Sequence, residues 1–331
     1  MGTLSLWAVL CESKRIINAH SRHFLALSVI FLLPLSFSLI VSPTLLLLFD
    51  PSPAKSTSSR LHVLLRLTTT TSSHHTHHQP HPQLTLTSLL FPLCFSIFLF
   101  LTSIGALSSI THSVLHGFFG RPVKLHSALL SILSSFLPLL STHFFSHLLL
   151  LLPLLPLLFI PPPSSSSPLI QTILYFFLLI LLTILLVNLR ISWTLAPVIA
   201  VAESSYALRP LRRSAALVRT MKPLAASTIL FFGLLEGLLL WSSSVLVTTG
   251  GVGAWWKDWA VVLQIVLTST TLMVLMLYHT AADTVLYMYC KAVHGELAME
   301  IAEEFAREYV SLPFDEEKVP HVVSVVPRVS V

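Results

Sequence analysis

Three sets of side chains in this sequence are of types and spacings that could do chemistry. The first is a carboxylate, Glu236, inside the apolar run Gly233-Leu234-Leu235-Glu236-Gly237, with His279 and Asp283 four residues apart near the end of another such run. An ionisable group in hydrocarbon is expensive, so it marks an ion or proton path by default. His279 and Asp283 are its candidate partners. The plainer alternative is a single interhelical hydrogen bond with a structural purpose, and one acid without an obvious intramembrane cation favours it. Gly233 and Gly237 add a small-residue face of the kind that admits another helix closely.

The second set is histidine. His112 and His116, and again His143 and His147, stand four apart, so each pair shares one helical face as a metal site would need. Membrane di-iron enzymes require several His-rich boxes of the His-x-x-His-His kind on one side of the membrane. These two pairs fall at opposite membrane boundaries and cannot pool their ligands, so no catalytic metal and no cofactor is expected. The tract His74-His75-Thr76-His77-His78-Gln79-Pro80-His81 is a loose metal-binding candidate that reads better as low complexity.

The third set is basic. Arg209, Arg212, Arg213, Arg219 and Lys222 lie in a segment over 204–222 where Leu208, Leu211, Ala215 and Val218 recur at helical spacing. Ser204 and Ser205 are candidate N-caps, and Pro210 comes early enough to be tolerated. The segment reads as an amphipathic helix lying in the membrane plane. Its guanidinium groups meet anionic head groups at about 1 kcal/mol per basic residue; plain topogenic charge satisfies the same pattern. Glu203 precedes the helix, where it favours the positive dipole end or pairs with one of the arginines.

No nucleophile elbow, phosphate loop, kinase signature or shared pair of catalytic carboxylates occurs, so no catalytic residue is assigned and a non-enzymatic role is expected. Nucleic-acid binding is not expected either, because the net charge of +5 is accounted for by membrane topology.

The elements that position these residues follow from composition. Of 331 residues 54% are hydrophobic and 10% charged, against roughly a quarter charged in soluble domains. Six stretches reach the roughly 20 apolar residues that a membrane span needs: about 24–49, 84–110, 127–152, 168–189, 224–247 and 259–283. Pro34 and Pro92 should kink their helices. Fifteen of the 19 Lys and Arg residues lie in segments 1–23, 111–126, 190–223 and the C-terminal tail; Lys55, Arg60, Arg66 and Lys257 lie in the alternate gaps. That bias places both termini in the cytosol. The expected fold is all-α: a cytosolic segment 1–23, a six-span membrane domain over 24–290 and a C-terminal helix and tail over 291–331. The first span should be a retained signal anchor. Loops 51–83 and 153–167, rich in Ser, Thr, His and Pro, are expected to be disordered.

The last span should run on into a helix over about 284–311, with Ala298, Ala302, Phe305 and Tyr309 on one stripe and Glu300, Glu303, Glu304 and Glu308 around it. That helix either docks under the bundle or offers a face to a protein partner. Residues 312–331 read as a loose acidic-then-apolar tail. Cys11, Cys94 and Cys290 make no disulfide framework.

The segments Leu10-Cys11-Glu12-Ser13-Lys14-Arg15-Ile16-Ile17-Asn18-Ala19-His20-Ser21-Arg22-His23-Phe24 and Thr284-Val285-Leu286-Tyr287-Met288-Tyr289-Cys290-Lys291-Ala292-Val293-His294-Gly295-Glu296 resemble a plant family of uncharacterised multi-span membrane proteins. A shorter likeness, around Ala207-Leu208-Arg209-Pro210-Leu211-Arg212-Arg213-Ser214, is to the membrane domain attached to bacterial glycerophosphodiester phosphodiesterases. It implies a six-helix bundle without catalysis, since the soluble phosphodiesterase domain is absent. The readings in order of preference are a scaffold or accessory protein in an endomembrane or the plasma membrane, with membrane lipids as partners; a small-solute or ion transporter using Glu236; and a metal-dependent lipid-modifying enzyme. Oligomeric state cannot be read from the chain.

Overall fold

The apolar runs become long helices because a backbone in hydrocarbon must satisfy its own hydrogen bonds. The computed structural model describes residues 5–49, 86–155, 169–249, 259–311 and 322–324. Helix α1 (Leu6–Ala19) is capped by the Ser5 side chain and turns at His20 into α2 (Ser21–Leu27). A π-helical turn, Ser28–Leu32, joins α2 to α3 (Leu33–Phe49) just before Pro34, whose ring and missing N–H interrupt the regular ladder. Then come α4 (Leu86–Phe118), α5 (Leu125–Leu151), α6 (Leu169–Ser192), the short α7 (Ala196–Ala202), α8 (Leu208–Val218), α9 (Lys222–Thr249), α10 (Trp259–Val293) and α11 (Glu296–Glu308).

Six helical stretches are long and apolar enough to cross a membrane: Ser21–Ser42, Pro92–Phe118, Leu125–Leu154, Leu169–Ala202, Lys222–Ser243 and Trp259–Val293. The all-α expectation holds, with one addition. Tyr309–Ser311 and Val322–Ser324 pair as two short antiparallel strands, so part of the segment read as a loose tail is ordered. The expected disorder of 51–83 lies outside the described residues. So does that of 156–167, whereas Leu152–Leu154 form a 3-10 turn that extends α5.

Packing is uneven along the bundle. Helix α10 is central and touches α1, α3, α4 and α9. Its last turns bury Val285, Leu286, Tyr287, Met288 and Cys290 against Val9 and Ile16 of α1, Phe24 of α2, Ile199 of α7 and Leu217 of α8. This dense core sits at the end of the bundle that carries the arginines, called here the basic end. Close approach there uses small residues on α4. A Cβ on Gly105 would come within 2.8 Å of the Phe31 ring, and one on Gly117 within 2.8 Å of Ile16. Buried hydroxyls bond to backbone carbonyls across the seams, Ser108 to Ser131 at 3.1 Å and Ser214 to Ser192 at 2.8 Å. Helix α6 is the least covered of the long helices and buries only Leu182.

Two expectations are corrected here. The continuous helix over 284–311 is two helices. Helix α10 runs unbroken to Val293, about 52 Å at 1.5 Å per residue, and Gly295 then adopts φ +76°, a left-handed stop that favours glycine. The amphipathic helix is not capped by Ser204 or Ser205. Ala207 holds its N-cap position at φ 60°, and its backbone N–H donates to Ser141 Oγ of α5 at 3.2 Å.

Candidate functional site

Glu236, on α9, meets α10 at the level of His279. The His279 Nδ1 lies 2.9 Å from Glu236 Oε1 and its Nε2 lies 3.7 Å from Asp283 Oδ2. The Phe232 ring, one turn before Glu236, stacks flat on the imidazole at 4.7 Å between centroids and 6° between planes. The sequence spacing had offered these three as partners, and the structure brings all of them together. Asp283 Oδ1 is buried with no hydrogen-bond partner among the described residues. Arg190, at the end of α6, lies within electrostatic range of His279 and Asp283, and also of His143 on α5. Sequence reasoning missed Arg190, having counted it only as a loop charge.

An apolar groove of about 470 Å³ follows the α9–α10 seam, walled by Phe231, Phe232, Leu235, Val274 and Leu275. Its lining holds almost no polar surface and suits a hydrocarbon chain. Phe232 is shared between this groove and the histidine stack.

Gly233 and Gly237 do not serve close helix packing within the chain: a Cβ added at either meets nothing within 4 Å. They lie on an exposed stripe of α9 with Leu230, Leu234, Leu238 and Trp241. A small-residue spacing permits approach, but among the described residues nothing lies within 4 Å of a Cβ at either position.

At the basic end α8 buries Pro210, Leu211, Ser214, Leu217 and Val218. Arg209, Arg212, Arg219 and Lys222 are exposed, and none of them makes an ion pair among the described residues. Arg213 departs from the expected head-group contact. It turns inward, donating from Nε to Glu203 at 3.1 and 3.2 Å and from Nη1 and Nη2 to Glu296 of α11 at 3.2 and 2.5 Å. Tyr287 OH donates to Glu203 Oε1 at 3.0 Å. The hydrogen bond to Glu296, above all, and then the bond and charge of Glu203 hold the guanidinium's pKa above its ordinary value, against the desolvation that lowers it. Lys291 adds a tie from α10 to Glu300 of α11 at 2.6 Å. The carboxylates that claim Arg213 come from outside its own helix, so i,i+4 reasoning along α8 could not find them.

The histidine pairs stay apart, as their spacing required. His112 and His116 share a 3.1 Å ring contact near His23, which meets Ser113 at 2.8 Å. His147 bonds back to the His143 carbonyl at 2.8 Å. Among the described residues no group of three or more His, Cys, Asp or Glu side chains is placed to hold a metal ion.

These features define a class: an all-α bundle of six membrane-length helices, dense and basic at one end, with a titratable cluster between its last two long helices. Residues 1–319 match the family model described as a domain of unknown function, DUF8558, and the chain belongs to that family. No curated protein and no solved structure matches it.

Proposed function

We propose that this chain is a multi-pass membrane protein whose basic end faces the cytosol, with both termini there, and that it organises or assists other membrane components without catalysing a reaction. The observation that carries this reading is the division of labour among the cations on α8 and just beyond it. Arg213 is spent on holding the helix to the bundle, while Arg209, Arg212, Arg219 and Lys222 stand exposed with no ion pair among the described residues. Such cations at a membrane boundary attract anionic lipid, at about 1 kcal/mol per residue. The partners are therefore acidic phospholipids of an endomembrane or the plasma membrane. The amphipathic α11, tied down by Arg213 and Lys291, adds a face for a protein partner. Likeness to plant multi-span proteins supports the same assignment.

Electron spin resonance of the reconstituted full chain tests it, comparing spin-labelled phosphatidylserine with phosphatidylcholine. The wild type should immobilise phosphatidylserine preferentially, and raised salt should weaken the preference. The combined variant Arg209→Gln, Arg212→Gln, Arg219→Gln, Lys222→Gln should erase most of it. An unchanged preference in that variant sinks the proposal.

A further inference from the structure

We propose that Glu236, His279 and Asp283 form a proton-binding site inside the bundle, one that takes up and returns a single proton from water. This goes beyond lipid contact at the basic end and is independent of it.

A neutral imidazole has one N–H, so His279 donates toward both acids only as imidazolium. Its two nitrogens face two different carboxylates, at 2.9 and 3.7 Å. The flat Phe232 ring presents the negative face of its π-system to that cation. A structural ion pair would need one acid. Here a second acid is present, and its Oδ1 is buried with no partner among the described residues. That oxygen is a vacant acceptor: a proton arriving there forms an O–H bond and turns the carboxylate into a neutral carboxyl.

The charge count gives the site its sensitivity. With His279 protonated, the charges of Glu236, Asp283, His279 and Arg190 cancel. One proton added to Asp283 leaves the cluster net positive, and one lost from His279 leaves it net negative, in surroundings that solvate either poorly. The groups facing the site are Glu236 from α9 and Arg190 from α6, with His143 and His147 of α5 beyond Arg190. Glu12 and Arg15 of α1, also packed on α10, face Tyr289, and His112 and His116 of α4 face each other. Helix α3, also packed on α10, brings no titratable side chain over residues 33–49. The side chains of Glu236, His279 and Asp283 keep 22%, 28% and 17% of their surface uncovered by protein, so the site is not sealed within the helix seam.

The test uses full-length protein in phosphatidylcholine vesicles, with infrared difference spectra recorded between about pH 5 and pH 8, the range in which an imidazole titrates. A carbonyl band of a carboxyl in a non-aqueous site should grow on acidification; D283N should remove it, and E236Q, which deletes one negative charge of the cluster, should shift the pH at which it grows. D283E keeps a carboxyl and should keep a band, which separates loss of titration from loss of fold. A wild type with no such band overturns the proposal. So does a band unchanged in D283N when its helical circular dichroism matches wild type.

Discussion

Replacing Arg213 by alanine should loosen the basic end while leaving the long helices in place. The side chain joins Glu203, at the end of α7, to Glu296 at the start of α11, from the middle of α8. A charge-assisted hydrogen bond is worth about 1.5–3 kcal/mol when buried, and an exposed ion pair about 0.2–1 kcal/mol. Arg213 is 38% exposed and its partners 28% and 33%, so solvent screening brings each pair to about 1 kcal/mol and the two together to about 2 kcal/mol. A natural reporter lies close by: Cys290 is buried and its sulfur is 3.9 Å from that of Met221, just beyond α8. In a C11S/C94S background only this thiol can react. A local opening made easier by about 2 kcal/mol should raise its labelling rate about 30-fold. Arg213→Lys should fall between, because an ammonium keeps the charge but not the fork. The pH behaviour has a definite sign. Arg213's folded pKa is raised, so its contribution is complete below its ordinary pKa and is lost only as pH climbs through the raised one. Guanidinium ionisation therefore contributes no pH dependence to the R213A-to-wild-type ratio in neutral or mildly alkaline buffer. A labelling rate within twofold of the background would refute the reasoning.

Two further outcomes concern glycine. Gly105→Ala and Gly117→Ala each place a methyl 2.8 Å from a packed side chain, and should cost about 1–3 kcal/mol of overpacking; Gly233→Ala and Gly237→Ala, facing open space, should leave thermal unfolding in detergent unchanged. Gly295→Ala puts a Cβ at φ +76° with no steric neighbour, so backbone strain alone costs about 1 kcal/mol. Hydrogen exchange should then quicken in α11 while the buried turns of α10 keep their protection.

Much of this fold could be read from the residues, and for a plain reason. Hydrocarbon imposes one requirement on about 20 consecutive side chains, so each span announces itself locally. Helix ends in polar surroundings carry no such signal. That is why one continuous helix is expected to about residue 311, whereas α10 ends at Val293 and Gly295 separates it from α11. Within the candidate site, Glu236, His279 and Asp283 were legible because ionisable groups are rare in apolar runs. Arg213 was misplaced because its carboxylate partners lie 10 and 83 residues away in sequence. The glycines teach the same lesson: the paired spacing of Gly233 and Gly237 promised a contact, whereas the contacts fell at Gly105 and Gly117, which no local pattern distinguishes.

Helix α6, with Leu182 as its one buried side chain, answers to solvent rather than to neighbours. Exchanges among leucine, isoleucine, valine and phenylalanine along it should be nearly free, since each new side chain meets acyl chains that rearrange around it. Its evolutionary constraint is then compositional: the stretch must stay oily and long. Related chains should drift fastest in wording along this segment and slowest in its hydrophobic character.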